Sequence, residues 1–232
     1  VALITLQPDL GQAALFIPAL FAVLVAAGAK LKHLTLIVLI ATMAAPAAYP
    51  ILKPHQKERF VGLIKQFTGD ESSSQDINFQ SVGAQRLAGA GGIEGVGDEH
   101  ARVLLHFNAL PERHNDMIYA VIVNRFGLVG GLAVLGLYLV WFIGALGTAA
   151  ACRAPCGRLI CVGLTGFIAA QVAINVGMNL GLAPIIGITL PFVSNGGSSM
   201  VTVWIMCGLI LNVALHRPSY SLRKSFEYGD DE

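Results

Sequence analysis

The sequence has 232 residues, of which 55% are hydrophobic and only 12% are charged, and its mean hydropathy is +0.67. Soluble domains carry roughly 25% charged residues, so this composition excludes an ordinary soluble domain and favours a lipid environment. The net charge is +1 and no basic stripe is present, so we expect no nucleic-acid partner. Four cysteines lack zinc-site spacing and are predicted to be free thiols: Cys152, Cys156, Cys161 and Cys207.

Five apolar runs are long enough for membrane-spanning helices, because about 20 residues cross the hydrocarbon and unpaired backbone groups are costly there. The runs are Leu10–Ala29, Leu34–Leu52, Gly127–Ala149, Leu159–Leu180 and Ser198–His216. The predicted fold is therefore all-α, a polytopic transmembrane helix bundle with about five spans. The chain begins in apolar sequence without an initiator methionine, so we expect further membrane helices before it.

Short basic links predict the orientation, because lysine and arginine in such links mark the cytoplasmic side. Counting alternate crossings puts three clusters on one face: Lys30 and Lys32, Arg153 and Arg158, and Arg217, Arg223 and Lys224. The chain thus divides into 1–52, two spans with a cytoplasmic link; 53–115, a large extracytoplasmic loop; 116–216, a half-helix and three spans; and 217–232, a cytoplasmic tail.

The predicted outer loop has three sections. Residues 53–67 are basic with apolar residues at helical spacing, which indicates a short amphipathic helix at the membrane interface. Residues 68–78 are polar, acidic and expected to be mobile. Residues 83–97 contain six glycines and are expected to turn repeatedly.

The strongest candidate for chemistry is the run Leu110–Met117, LPERHNDM, which places four ionisable residues just before a membrane segment: Glu112, Arg113, His114 and Asp116. An aspartate beside hydrocarbon can be partly desolvated, which raises its pKa toward the range of a general base, and Arg113 could hold phosphate. The alternative is a solvated helix cap with Asp116 as the N-cap. The spacing leaves both interpretations open.

Polar residues also recur inside the predicted spans. Gln171, Asn175 and Asn179 are four residues apart on one stripe, a pattern more typical of interhelical hydrogen bonds than of substrate contacts. Asp9, at the mouth of the first span, is expected to pair with a cation from another helix. Ile118–Phe126 is predicted to be a half-helix before the third span.

The segment Leu190–Ser199, LPFVSNGGSS, is predicted to be a close turn or re-entrant segment before the last span. Gly196 and Gly197 with the following serines could cradle an anion at the helix start, and a plain serine-capped start is the equal alternative. The six histidines form no metal-ligand spacing.

Six segments in a fixed order resemble the SEDS family, the RodA, FtsW and SpoVE peptidoglycan glycosyltransferases. They are QPDLG from Gln7, HQKERF from His55, AGGIEGVG before residue 98, LPERHND from Leu110, FGLVGG from Phe126 and LPFVSNGGSS from Leu190. The resemblance spans nearly the whole chain and implies a protein of about ten membrane helices in the bacterial cytoplasmic membrane.

The resemblance implies polymerisation of lipid II at the outer face, in cell elongation or division, with Asp116 as the catalytic general base. It implies substrate contacts from Lys57, Arg59, Glu112, Arg113, His114, Ser194, Gly196, Gly197 and Ser198. A class B penicillin-binding protein is the implied partner, together with other elongation or division proteins. A divalent cation, Mg²⁺ or Mn²⁺, is left open as an aid to pyrophosphate departure.

The sequence departs from the family pattern at Asn124 and Arg125, where an EELG motif usually supplies two acidic residues. This reversal of charge motivates one alternative, an inactive family member acting as a scaffold for its transpeptidase. A bundle cavity lined by asparagine and glutamine motivates another, a flippase for the lipid-linked precursor. Milder departures are SNGG for SYGG and His-Asn-Asp for His-Thr-Asp.

Overall fold

The computed structural model of the protein describes residues 10–48, 57, 61, 79–97, 100–101 and 115–216. Within these residues it contains six helices and no strand, which confirms the all-α class. The helices are α1 (Leu10–Ala26), α2 (Leu31–Ala48), α3 (Phe79–Ala90), α4 (Ile118–Ala151), α5 (Pro155–Asn179) and α6 (Gly197–Leu215). The predicted interfacial helix at 53–67 (apart from residues 57 and 61), the acidic segment 68–78 and the tail from 217 lie outside the described residues.

Three helices in the described part, α4, α5 and α6, are long and apolar enough to cross a membrane. α5 has 25 residues and is therefore about 37 Å long, against a hydrocarbon thickness of about 30 Å. α2, α4 and α6 expose many large apolar side chains, among them Leu39, Val140 and Trp204. Apolar surface of this extent marks a membrane environment.

The central helix is α5, which packs against α1, α3, α4 and α6. Small residues let α1 approach it closely: a Cβ on Gly163 would lie 2.8 Å from Val23, and one on Gly166 would lie 2.9 Å from Ala22. Further along the same contact, the rings of Phe16 and Phe167 meet edge to face, with centroids 5.4 Å apart. These pairs show that α1 and α5 run antiparallel.

Because of this direction, the link after α1 lies at the same end of the bundle as the turn between α4 and α5. Lys30 and Lys32 are exposed at the link, and Arg153 and Arg158 are exposed at the turn. These two basic links share one end, as the sequence predicts. The third basic cluster, in the tail, lies outside the described residues.

Helix α4 is interrupted at Gly127, whose φ of 69° and ψ of −171° are not helical. Only glycine adopts this backbone conformation without strain. The segment Ile118–Phe126 is therefore a separate half-helix, where the sequence predicts one, and the long apolar part of α4 follows it.

The glycine-rich turn at 91–97 packs closely against this kink, backbone to backbone. The Leu128 N–H donates to the Gly92 carbonyl (2.9 Å), and the Val96 N–H donates to the Asn124 carbonyl (3.0 Å). The approach is so close that a Cβ on Gly91 would lie 2.1 Å from the Val123 carbonyl oxygen. The turn thus supplies hydrogen bonds to backbone groups that the kink releases from the helix.

The expectation that residues 83–97 turn repeatedly is wrong for 83–90, which belong to α3. The physical reason is tertiary packing. Ala84 and Leu87 of α3 are fully buried, and Ala84 packs with Met117 and Ala120. Burial of this face outweighs the low helix propensity of the two glycines inside α3.

Candidate functional site

Asp116 lies in a turn, residues 115–117, directly before α4. The turn is anchored by Met117, which is buried against Ala84 of α3 and Ala120 of α4. Asp116 itself is partly buried. Helix α4 begins after Met117 and has no side-chain cap hydrogen bond, so Asp116 does not act as the N-cap that the sequence left open.

Two side-chain amides of α5 donate hydrogen bonds to this turn. Asn175 Nδ2 donates to the Asp116 backbone carbonyl at 2.9 Å, and Asn179 Nδ2 donates to the same carbonyl at 3.0 Å. Both asparagines are completely buried. Asn179 Oδ1 also accepts the Ala120 N–H of α4 at 3.0 Å, an interhelical hydrogen bond of the kind that the sequence favours for this stripe.

The same stripe holds the segment between α5 and α6. Asn175 Nδ2 also donates to the Ile188 carbonyl at 2.6 Å. One turn earlier along α5, Gln171 Nε2 donates to the carbonyl (3.0 Å) and the hydroxyl (3.3 Å) of Thr189. One row of amides therefore connects the Asp116 turn to residues 188–189.

Ser194 supplies a third attachment. Its hydroxyl donates to the Asn115 carbonyl at 2.6 Å and accepts the Leu190 N–H at 2.7 Å. Ser194 is 3% exposed, so its hydroxyl is engaged with the backbone on both sides. A direct substrate contact by Ser194 would have to displace one of these bonds.

Gly187 faces the Asp116 carboxyl. It has a φ of 72°, and a Cβ built on it would lie 3.5 Å from Asp116 Oδ2. The backbone of residue 187 thus forms a wall beside the carboxyl. Sequence reasoning missed Gly187 and Thr189, because a lone glycine and threonine between two spans carry no motif.

Three other residues that are predicted to contact substrate lie at the start of α6. Gly196 caps the start of α6, and Gly197 and Ser198 are exposed in its first turn. No serine side chain caps this helix, since Ser199 Oγ donates instead to the Gly196 carbonyl at 3.0 Å. Lys57 is partly buried. Asp9, Arg59, Glu112, Arg113 and His114 lie outside the described residues.

The two departures from the family pattern fall at the kink of α4. Asn124 is fully buried and its Nδ2 donates to the Leu87 carbonyl of α3 at 2.7 Å. Arg125 is exposed, with its guanidinium 5.0 Å from the centre of the Phe126 ring. Asn124 therefore contributes to packing between α3 and α4 rather than to the turn that carries Asp116.

An apolar groove of about 710 Å³ runs between α4 and α6. Aromatic residues form its upper wall, including Tyr138, Trp141, Phe192 and Trp204. The Tyr138 hydroxyl donates to the Pro191 carbonyl, which fixes this wall to the segment that contains Ser194. Among the described residues, the lining of this groove contains no Asp, Glu, His, Lys or Arg side chain, so the candidate for acid–base chemistry is the Asp116 turn.

The four cysteines are free thiols, as predicted. Among the residues that the structure describes, no group of three His, Cys, Asp or Glu side chains is placed to hold a metal ion.

This fold and site define a multi-pass helical membrane protein with a carboxyl-bearing turn fixed at one end of its bundle. The FtsW/RodA/SpoVE family model, described as "Cell cycle protein", matches residues 1–219. The chain therefore belongs to the FtsW/RodA/SpoVE family, the SEDS family that its motifs resemble.

Curated relatives agree with this assignment. The chain is 31% identical over 221 residues to "Peptidoglycan glycosyltransferase MrdB" of Escherichia coli (strain K12), covering 94% of this chain and 58% of that protein. It is 30% identical to "Stage V sporulation protein E" of Bacillus subtilis (strain 168), covering 91% and 56%. It is 34% identical to "Probable peptidoglycan glycosyltransferase FtsW" of Thiomicrospira cyclica, covering 91% and 53%.

A solved structure has the same fold. The chain matches one chain of the solved structure described as "Structural coordination of polymerization and crosslinking by a peptidoglycan synthase complex". The TM-score is 0.77 and the sequence identity is 30%. The match covers 94% of this chain and 59% of that one. This chain thus spans a little over half the length of the relatives that it matches.

Proposed function

We propose that this chain carries the reaction site of a peptidoglycan glycosyltransferase that polymerises lipid II at the outer face of the bacterial cytoplasmic membrane. Family membership and the names of the relatives support peptidoglycan synthesis as the process. The observation that carries the finer proposal is the Asp116 turn, whose backbone accepts three side-chain hydrogen bonds from two other parts of the chain. A carboxyl on a backbone fixed in this way is suited to proton transfer at a defined position.

In the proposed reaction, Asp116 takes the proton from the 4-hydroxyl of the acceptor sugar. The freed oxygen attacks the anomeric carbon of the donor, and the bond from that carbon to undecaprenyl pyrophosphate breaks with inversion. The electron pair of that bond leaves with the pyrophosphate, and the proton remains on Asp116 until it is released to water.

The departing pyrophosphate needs positive charge or N–H donors nearby. We propose Lys57, Arg59 and Arg113 for this role, with Glu112 and His114 as flanking contacts. The first turn of α6, at Gly197 and Ser198, offers free backbone N–H groups to an anion and is the proposed second contact.

We propose a class B penicillin-binding protein as the partner, because a matched solved structure is described as coordinating polymerisation with crosslinking. Two competing functions stay in view: a flippase for the lipid-linked precursor, and an inactive scaffold for the transpeptidase. Asn124 packs against α3, so this departure from the family pattern lies outside the turn that carries Asp116.

Reconstitution of the full-length protein with lipid II in vesicles, alone and with its transpeptidase, distinguishes these functions. We expect glycan strands from the wild type and from Thr42→Val, a control whose hydroxyl bonds only within α2. We expect none from Asp116→Ala. Strands from Asp116→Ala would overturn the general-base role.

The same vesicles report on the rival functions. Transfer of fluorescent lipid II between leaflets without polymerisation would favour the flippase. Polymerisation by neither wild type nor variant, together with stimulation of the transpeptidase by both, would favour the scaffold.

A further inference from the structure

The backbone carbonyl of Asp116 is the point where two buried amides converge, from Asn175 at 2.9 Å and Asn179 at 3.0 Å. We propose that Asn175 and Asn179 are positioning residues that hold the Asp116 carboxyl where its proton transfer takes place. This inference rests on the proposed function of Asp116. Neither asparagine is exposed, so neither is placed to contact a substrate directly.

Asn179 fixes the turn to the start of α4. Its Oδ1 accepts the Ala120 N–H at 3.0 Å while its Nδ2 donates to the Asp116 carbonyl. The Ala120 N–H is among the first donors of α4, which have no partner inside their own helix. Because Met117 supplies no side-chain cap, Asn179 serves as the cap from a neighbouring helix.

Asn175 fixes the distance between the carboxyl and the wall that faces it. Its Nδ2 donates both to the Asp116 carbonyl and to the Ile188 carbonyl. Residue 187, next to Ile188, lies beside Asp116 Oδ2. One amide therefore fixes the backbone of residue 116 relative to that of residue 188, and with it the carboxyl relative to the wall that faces it.

The amide groups are suited to this task because their N–H₂ groups donate two hydrogen bonds in fixed directions. In Asn175 these go to two loops, and in Asn179 they go to Asp116 and to the Asn175 carbonyl (2.9 Å). Misplacement of a catalytic group by about 1 Å can lower the rate about 10²-fold. Loss of the donors should thus reduce turnover more than substrate binding.

The sharpest variants are Asn175→Asp and Asn179→Asp, which keep the shape and leave at most one donor, the O–H of a protonated carboxyl, in place of two. Asn179→Asp also keeps an acceptor for the Ala120 N–H. In full-length protein reconstituted with lipid II, we expect kcat to fall about 10- to 100-fold in each. We expect KM to stay within about twofold, because uniform substrate binding is untouched.

The matched control is Thr165→Val on the same helix. Its hydroxyl is buried and has no hydrogen-bond partner among the described residues. We expect kcat to be unchanged in this variant. Ser194→Ala is a second test variant that loosens Asn115 from the other side without placing a carboxyl in the core.

Hydrogen exchange of the peptide containing residues 115–122, in the same proteins, measures the hold on the turn without reference to activity. We expect exchange to be faster than in the wild type in both asparagine variants and in Ser194→Ala. We expect the exchange rate in Thr165→Val to equal that of the wild type. Unchanged exchange in the asparagine variants, or faster exchange with normal kcat, would overturn the positioning role. Should the asparagine variants not fold, Ser194→Ala decides by the same readouts.

Asp116→Asn in the same assay distinguishes the two levels of inference. Full activity in Asp116→Asn would overturn the general base, and the positioning role with it, even if exchange were faster in the asparagine variants. An inactive Asp116→Asn with unaffected asparagine variants would leave the general base in place and remove only the positioning residues.

Discussion

The chain departs from regular helix at two places near the start of α4, the turn at residues 115–117 and the kink at Gly127, and each is stabilised by a different kind of group. At the kink, the backbone of the glycine-rich turn 91–97 pairs directly with the backbone around Gly127. At the turn before the helix, side chains from α5 and from Ser194 hold the backbone of Asn115 and Asp116. Both solutions satisfy polar backbone groups near the membrane, where an unpaired group is costly.

The kink and the Asp116 turn therefore differ in the substitutions that they tolerate. Backbone pairing at the kink depends on the absence of side chains, so it tolerates few substitutions. Side-chain pairing at the Asp116 turn depends on a few amide and hydroxyl groups, each of which can be removed alone. We infer that the kink fixes the frame of the half-helix, and that the polar side chains set the position of the carboxyl within it.

Gly127→Ala should have the largest effect on stability. A side-chain-bearing residue at this φ and ψ costs roughly 1–3 kcal/mol, and the added Cβ would lie 2.1 Å from the Ile93 carbonyl oxygen. We expect the free energy of unfolding to fall by about 3 kcal/mol or more, measured by denaturation with sodium dodecyl sulfate in mixed micelles. Gly136→Ala in the same helix is the control, because its Cβ would meet nothing within 4 Å. Equal stability of the two variants would contradict the backbone contact.

Ser194→Ala should have an intermediate effect. It removes the Ser194 bond to the partly buried Asn115 carbonyl and the acceptor of the buried Leu190 N–H, and a buried group left unpaired costs about 1–3 kcal/mol. The same unfolding measurement checks this loss. Ser199→Ala is the control, since that hydroxyl bonds only to the Gly196 carbonyl nearby. A larger loss in Ser199→Ala would reverse the assignment.

Thr165→Val should have the smallest effect, and of opposite sign. The Thr165 hydroxyl is buried without a hydrogen-bond partner in the described part of the chain. Its replacement by a methyl group removes an unsatisfied polar atom, so we expect the free energy of unfolding to be unchanged or higher by up to about 1 kcal/mol. A clear loss of stability would mean that this hydroxyl has a partner in the membrane-embedded protein.

Much of the fold could be predicted, because lipid requires long apolar runs and the runs are visible in the sequence. The half-helix could also be predicted, since Asn124, Arg125 and Gly127 interrupt an apolar segment. Helix α3 could not, because its glycines suggest turns. Only its packing against α4, through Ala84 and Leu87, shows why a helix forms there.

The amide stripe on α5 could be recognised from the sequence, and the groups that it binds could not. The four-residue spacing of Gln171, Asn175 and Asn179 indicates structural hydrogen bonds. Their acceptors depend on the paths of two loops, and loop paths leave no periodic signal in a sequence. The function of Asp116, and of the residues predicted to contact substrate, remains a prediction that the variants above test.

The Asp116 turn has a consequence for folding during synthesis of the protein. Its holding groups come from residues 175, 179 and 194, which are synthesised long after the aspartate itself. A growing chain that has reached residue 150 thus contains the carboxyl without any of these three attachments. The full set of attachments can form only after residue 194 has been synthesised, so a ribosome stalled in α5 would leave the Asp116 turn with its packing on α3 but without the hydrogen bond from Ser194.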